Sequence, residues 1–166
     1  MTNPNWAEQV TAVATAVGAV GLLAAIGAAV FGALQVREAR HNRQTQVAAD
    51  LLRRWEEDEL VEARQLVAGF QTRDDLARAF GDYRARNARE AYVLYRELDY
   101  FEQLGALDRL GALNFELVRL LLGPRLVERW ELWEPSVAAM GPEGSVYPNF
   151  AELAAKMRTA LASTGP

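Results

Sequence analysis

Residues 9–36 read QVTAVATAVGAVGLLAAIGAAVFGALQV, from Gln9 to Val36, and these 28 consecutive residues carry no charge. A helix rises about 1.5 Å per residue, so roughly 20 apolar residues cross a hydrocarbon layer of ~30 Å. The 25 residues Val10–Leu34 exceed that length, which implies tilt or a helical overhang in the headgroup region. Their only hydrogen-bonding side chains are Thr11 and Thr15, which can bond back to their own helix. Trp6 stands just before them, where an interfacial aromatic anchor belongs. A cleaved signal peptide needs basic residues before a short apolar core. Here only Glu8 precedes the stretch and the core is long. An amphipathic surface helix needs a polar face, and none is present. The expectation is one transmembrane helix over 9–36, preceded by a short extracytoplasmic segment over 1–8 and followed by a cytoplasmic helical domain over 37–166.

Orientation follows from the flanking charge. Arg37, Arg40 and Arg43 follow the stretch, with Arg53 and Arg54 farther on, and nothing basic precedes it. The positive-inside rule then puts the C-terminal domain in the cytoplasm and the N-terminus outside, a single-pass arrangement in the cell membrane. The three arginines share a helix face, so they read either as contacts to anionic lipid headgroups or as a topology signal alone. Small residues form rows along the stretch: Gly21, Ala25, Ala29 and Ala33, and beside them Ala24, Ala28 and Gly32. Such rows let helices approach closely in lipid, where packing replaces the hydrophobic drive, and they point to a homo-oligomer. The plainer reading is an alanine-rich composition.

The rest of the chain reads as an ordinary charged domain. Net charge is −4, which argues against a nucleic-acid binder. Cysteine is absent, so disulfides and thiolate metal sites are not available. His41 is the only histidine, and it lies among the basic residues after the apolar stretch. A Ser-His-Asp triad, a two-histidine zinc site and the Glu-x-x-His pairs of di-iron bundles are therefore not expected. No glycine loop of the phosphate-cradling kind follows. No catalytic, cofactor or metal residues are expected, and no enzyme activity.

Periodicity places the helices. No Pro or Gly lies between Arg37 and Ala68, so the first helix is expected to run on as one rod, with Val47, Leu51, Leu52, Trp55, Leu66, Val67 and Phe70 at helical spacing. The run Glu56-Glu57-Asp58-Glu59 reads as a solvated face. Thr72 and Asp75 form a capping-box pattern opening a short helix to about Phe80, ending near Gly81. A third helix is expected over about 85–107, with Leu94, Tyr95, Leu98, Phe101 and Leu104 on its apolar face. Asn114 caps a short helix closed by Gly123, and Pro124 opens the next, which carries Trp130 and Trp133. Gly141 to Gly144 is a loop, and Pro148 starts the last helix. No segment alternates with period two, so the domain is all-α.

The stretch Leu98-Asp99-Tyr100-Phe101-Glu102-Gln103-Leu104-Gly105, with Trp130 and Asn149-Phe150-Ala151-Glu152-Leu153, resembles a bacterial family catalogued as domain of unknown function 4760. The resemblance covers nearly the whole chain. It implies a membrane-anchored helical protein and carries over no catalytic residues. Glu102, one residue after Phe101, reads as a partly buried carboxylate that needs a partner. Arg64 and Arg89 are the expected ones, in an ion pair that sets helix register; a proton or ligand site is the sharper alternative. The function expected from all of this is a membrane-tethered interaction or scaffold module at the inner face of a bacterial membrane. Its partners would be the bilayer, further copies of itself and a protein docking on its aromatic-rich domain. The alternative is a homo-oligomeric pore or membrane-disrupting effector.

Overall fold

The computed structural model describes residues 6–142 and 146–163; within the first helix the side chains of 7–10, 12–14, 16–27 and 40–41 also lie outside the described residues. Six helices and no strand occur among the described residues: α1 Trp6–Trp55, α2 Asp58–Ala68, α3 Arg73–Ala85, α4 Arg89–Arg109, α5 Phe115–Ala138 and α6 Pro148–Ala162. The chain divides into two compact units, Met1–Asn42 and Arg43–Pro166.

In the first unit, Thr15 donates its hydroxyl to the Thr11 carbonyl at 2.8 Å, the expected back-bond. Trp6, Val30, Phe31, Leu34 and Val36 are all more than half exposed. Among the described residues no helix is long and apolar enough to cross a membrane. Most of the side chains of the predicted span 9–36, including Gly21, Ala24 and Ala25, lie outside the described residues.

The second unit is built around α4, which packs against α2, α3 and α6, while α5 packs against α3 and α6. The last turns of α1 belong to this core through Ala48, Leu51 and Trp55. Trp55 meets Tyr100 and Phe101 with ring centroids 5.1 and 5.3 Å apart, and the Tyr100 hydroxyl donates to the Leu51 carbonyl at 3.1 Å. Trp133, Phe80, Phe150, Leu76, Leu94, Leu98, Leu126 and Met157 complete the buried centre. Burying each such side chain contributes about 1.5–3 kcal/mol, which is why this face rather than helix propensity holds the bundle. The predicted apolar face of α4 is buried as expected, with Tyr95 at its edge.

Local signals behave as read at three helix starts. Thr72 accepts from the Asp75 amide at 3.1 Å and Asn114 from the Leu117 amide at 3.1 Å, and Pro148 opens α6. Three boundaries differ from expectation. The rod ends at Trp55: Glu57 is extended (ψ 147°) and becomes the N-cap of α2. Asp58 and Glu59 then lie in the first turn, where the helix dipole favours acids, so the acidic run starts a helix instead of lining one. The break lets Leu60, Ala63 and Val67 turn into the core. Helix α3 continues past Gly81 to Ala85, because a mid-helix glycine costs only ~1 kcal/mol and α3 stays packed on both α4 and α5. Helix α5 runs unbroken through Gly123 and Pro124. An internal proline costs about 3 kcal/mol, and buried Leu122, Gly123 and Leu126 on either side offset it.

Two turns need the left-handed backbone. Asn87 (φ 52°) ends α3, with the Ala88 amide closing onto the Tyr83 carbonyl at 2.9 Å, and Gly111 (φ 65°) ends α4 with Ala112 closing onto Leu107 at 2.9 Å.

Candidate functional site

The motif residues around Glu102 come together at the first turn of α6. Pro148 has no amide proton, and Tyr147 at the N-cap offers no side-chain cap. The next two free donors, the Asn149 and Phe150 amides, are taken by Glu102 at 3.3 and 2.9 Å, and Asn149 adds its side-chain amide at 2.6 Å. A carboxylate 47 residues away thus does the work of an N-cap and meets the positive end of the helix dipole. Phe101 stacks on Phe150 at 4.6 Å and 13°. One turn on, Gly105 lets α6 come close: a Cβ there would sit 2.1 Å from the Asn149 carbonyl oxygen. Asp108 accepts Lys156 with both oxygens at 2.8 Å, and Asp99 accepts the Tyr147 hydroxyl at 3.1 Å. Residues 99, 102 and 105 are successive i,i+3 neighbours on α4 that meet the start of α6, and Asp108 meets its third turn. Tyr147 holds φ 53° at this junction. Its hydroxyl pKa is pushed up, first by burial and then by the neighbouring Asp99.

Glu102 therefore does not pair with Arg64 or Arg89. Arg89 reaches Glu62 at 2.6 Å, and Arg64 lies over the Trp55 ring, 4.6 Å from its centroid, with Glu56 at 4.0 Å. The geometry makes Glu102 a structural clasp.

Among the described residues the fully buried carboxylate is Glu97. Its Oε1 accepts from Trp133 Nε1 at 3.2 Å and faces Arg129 Nε at 3.4 Å, while Oε2 has no protein partner. Burial raises its pKa above the ordinary 4.5, opposed by Arg129, by the Trp133 hydrogen bond and by Arg64. Sequence reading passed over Glu97, although it interrupts an apolar row, Val93, Tyr100 and Leu104, at helical spacing.

Beside this pair lies a cleft of about 390 Å³ lined by Trp55, Arg64, Arg125, Glu128, Arg129 and Leu132. A second, wider groove of about 570 Å³ runs along α3 and α4 past Arg84, Asn87, Tyr92 and Tyr95. There Tyr92 is hydrogen-bonded to Asn87 and Arg84 lies 5.8 Å over Phe80. Among the described residues no group of three acidic or imidazole side chains is placed to hold a metal.

The other predicted residues belong to the first unit, save Arg43, and those whose side chains are described are exposed or open. Ala28 and Ala29 are exposed, and a Cβ at Gly32 would touch nothing. Arg37 and Arg43 are exposed, and the Arg40 side chain lies outside the described residues. Of the aromatic residues of the domain, Trp55, Tyr100, Phe101 and Trp133 are core, Tyr95 and Trp130 are half-buried, and Tyr92 is 56% exposed.

An all-helical bundle locked by an inter-helix clasp, with an arginine-lined cleft beside a buried carboxylate, is the class of protein that the fold defines. The chain belongs to the family described as Domain of unknown function (DUF4760), whose model matches residues 16–157. That range takes in part of the uncharged stretch and the whole clasp. No curated protein and no solved structure matches the chain.

Proposed function

We propose that the protein is a membrane-tethered helical interaction module, anchored through residues 9–36 with its bundle at the inner face of a bacterial membrane. The observation that carries this reading is the uncharged stretch itself, 28 residues long. Where its side chains are described they agree in kind: Val30, Phe31, Leu34 and Val36 are 55–62% exposed and lie at different angles around α1. Large apolar side chains open on several sides of a helix need an apolar surrounding, and a bilayer provides one. The clasp and the buried aromatics supply rigidity to the bundle, which suits a module that presents a surface. Copies associating through the small-residue rows would set several bundles side by side.

The test is extraction. The full chain expressed in bacteria should stay with membranes through alkaline carbonate and leave with detergent, and protease added to spheroplasts should spare the bundle. Release by carbonate overturns the anchor, and digestion of the bundle overturns the orientation.

A further inference from the structure

We propose that the cleft between α2 and α5 binds an oxyanion, the phosphate group of a small phosphorylated molecule, through Arg64, Arg125 and Arg129. This inference is independent of the membrane reading.

Three guanidinium groups and one carboxylate, Glu128, line the cleft. Two of the arginines are held in place. Arg64 is only 21% exposed, its guanidinium lying over the Trp55 ring at 4.6 Å. Arg129 is 22% exposed and rests against Glu97. The Glu97 carboxylate accounts for the position of Arg129, whereas Arg64 has no strong surface ion pair: Glu56 lies 4.0 Å from it and is itself 71% exposed, so solvent screens it. Arg125 is exposed and pairs with no acid among the described residues. Arg125 and Arg129 are four residues apart on α5, so they share a face. Glu97 partners Arg129 and Glu128 lies in the same lining, which leaves Arg125 and the outer face of Arg64 to meet an added anion, and the fork geometry of guanidinium matches phosphate oxygens.

Two of the lining residues also carry buried donors. The Trp55 Nε1 and Arg64 Nε protons are buried with no protein acceptor. A buried donor without a partner costs about 1–3 kcal/mol. The volume, about 390 Å³, exceeds a bare anion and lies in the range of small-ligand sites. Trp55 and Leu132 give the rest of the ligand an apolar wall.

The experiment follows the arginine side-chain Nε–Hε signals of the ¹⁵N-labelled full chain in non-ionic detergent, titrated with inorganic phosphate against chloride at constant ionic strength. Saturable phosphate-specific shifts of Arg64 and Arg129 are expected. Arg125→Ala, at an exposed position that the fold does not need, should weaken binding by about tenfold or more, the value of one charge-assisted hydrogen bond. Glu128→Gln should tighten it severalfold by removing the opposing charge. Shifts that chloride reproduces, or equal affinity in wild type and Arg125→Ala, overturn the site. Repeating the titration in phosphatidylcholine vesicles with and without phosphatidic acid distinguishes the sources. Signals already at their phosphate-bound positions only when phosphatidic acid is present mark a lipid headgroup. Signals that respond to added phosphate in both vesicles mark a soluble phosphate.

Discussion

Gly105→Ala puts the clasp to its sharpest test, because helix propensity and tertiary packing predict opposite signs. On propensity alone the change stabilises a helix by ~1 kcal/mol. In this fold the new Cβ would lie 2.1 Å from the Asn149 carbonyl oxygen and 2.4 Å from its carbonyl carbon. Those are backbone atoms and cannot rotate away, so α6 must retreat by roughly 1–1.5 Å to reach van der Waals contact. The Glu102 bonds to the α6 amides, at 2.9 and 3.3 Å, would then stretch out of range. Overpacking costs about 1–3 kcal/mol, and losing one or two bonds to a charged acceptor costs about 1.5–3 kcal/mol each. Allowing for partial relaxation and the propensity gain, the net loss is about 2–4 kcal/mol, or roughly 5–15 °C in Tm for a chain of this size. Thermal unfolding of the full chain, followed by circular dichroism at 222 nm, reads it directly. Gly81→Ala is the internal control: its Cβ meets nothing within 4 Å, so it should gain about 0.5–1 kcal/mol. A Gly105→Ala protein melting at or above wild type would refute the close α4–α6 crossing.

Glu102→Ala should destabilise by about 2–4 kcal/mol in urea unfolding, since it strands donors of the α6 first turn; an unchanged midpoint would show that α6 is capped some other way. Glu97 has a raised pKa in the folded state, so the fold holds its proton more tightly than the unfolded chain does. The stabilisation is complete below about 4.5 and is lost as pH rises through the raised value, because the unfolded chain then binds fewer protons than the folded one. The stability of wild type relative to Glu97→Gln should therefore fall from pH 4 upward, and a flat difference would contradict the burial. Trp133→Phe removes a hydrogen bond that favours the ionised form, so the Glu97 carboxyl resonance should titrate at still higher pH; a downward move would place the Trp133 contact elsewhere.

What could be read without the fold was local. Thr72 and Asn114 reach only three residues forward to their amides, and Pro148 needs no partner to favour a first turn. The apolar face of α4 and the all-helical class followed from spacing alone, and the uncharged stretch from composition. The remaining features involve partners outside any such window. The Glu56-Glu57 break and the continuity of α5 past Pro124 are settled by which side chains are buried on either side. Glu97 and Glu102 are five residues apart on one helix and both carry a carboxylate, yet one is sealed between α4 and α5 and the other clasps α6. Only the placement of α5 and α6 distinguishes them. A hydrogen bond across 47 residues is decided by chain packing, which the sequence around either end does not display.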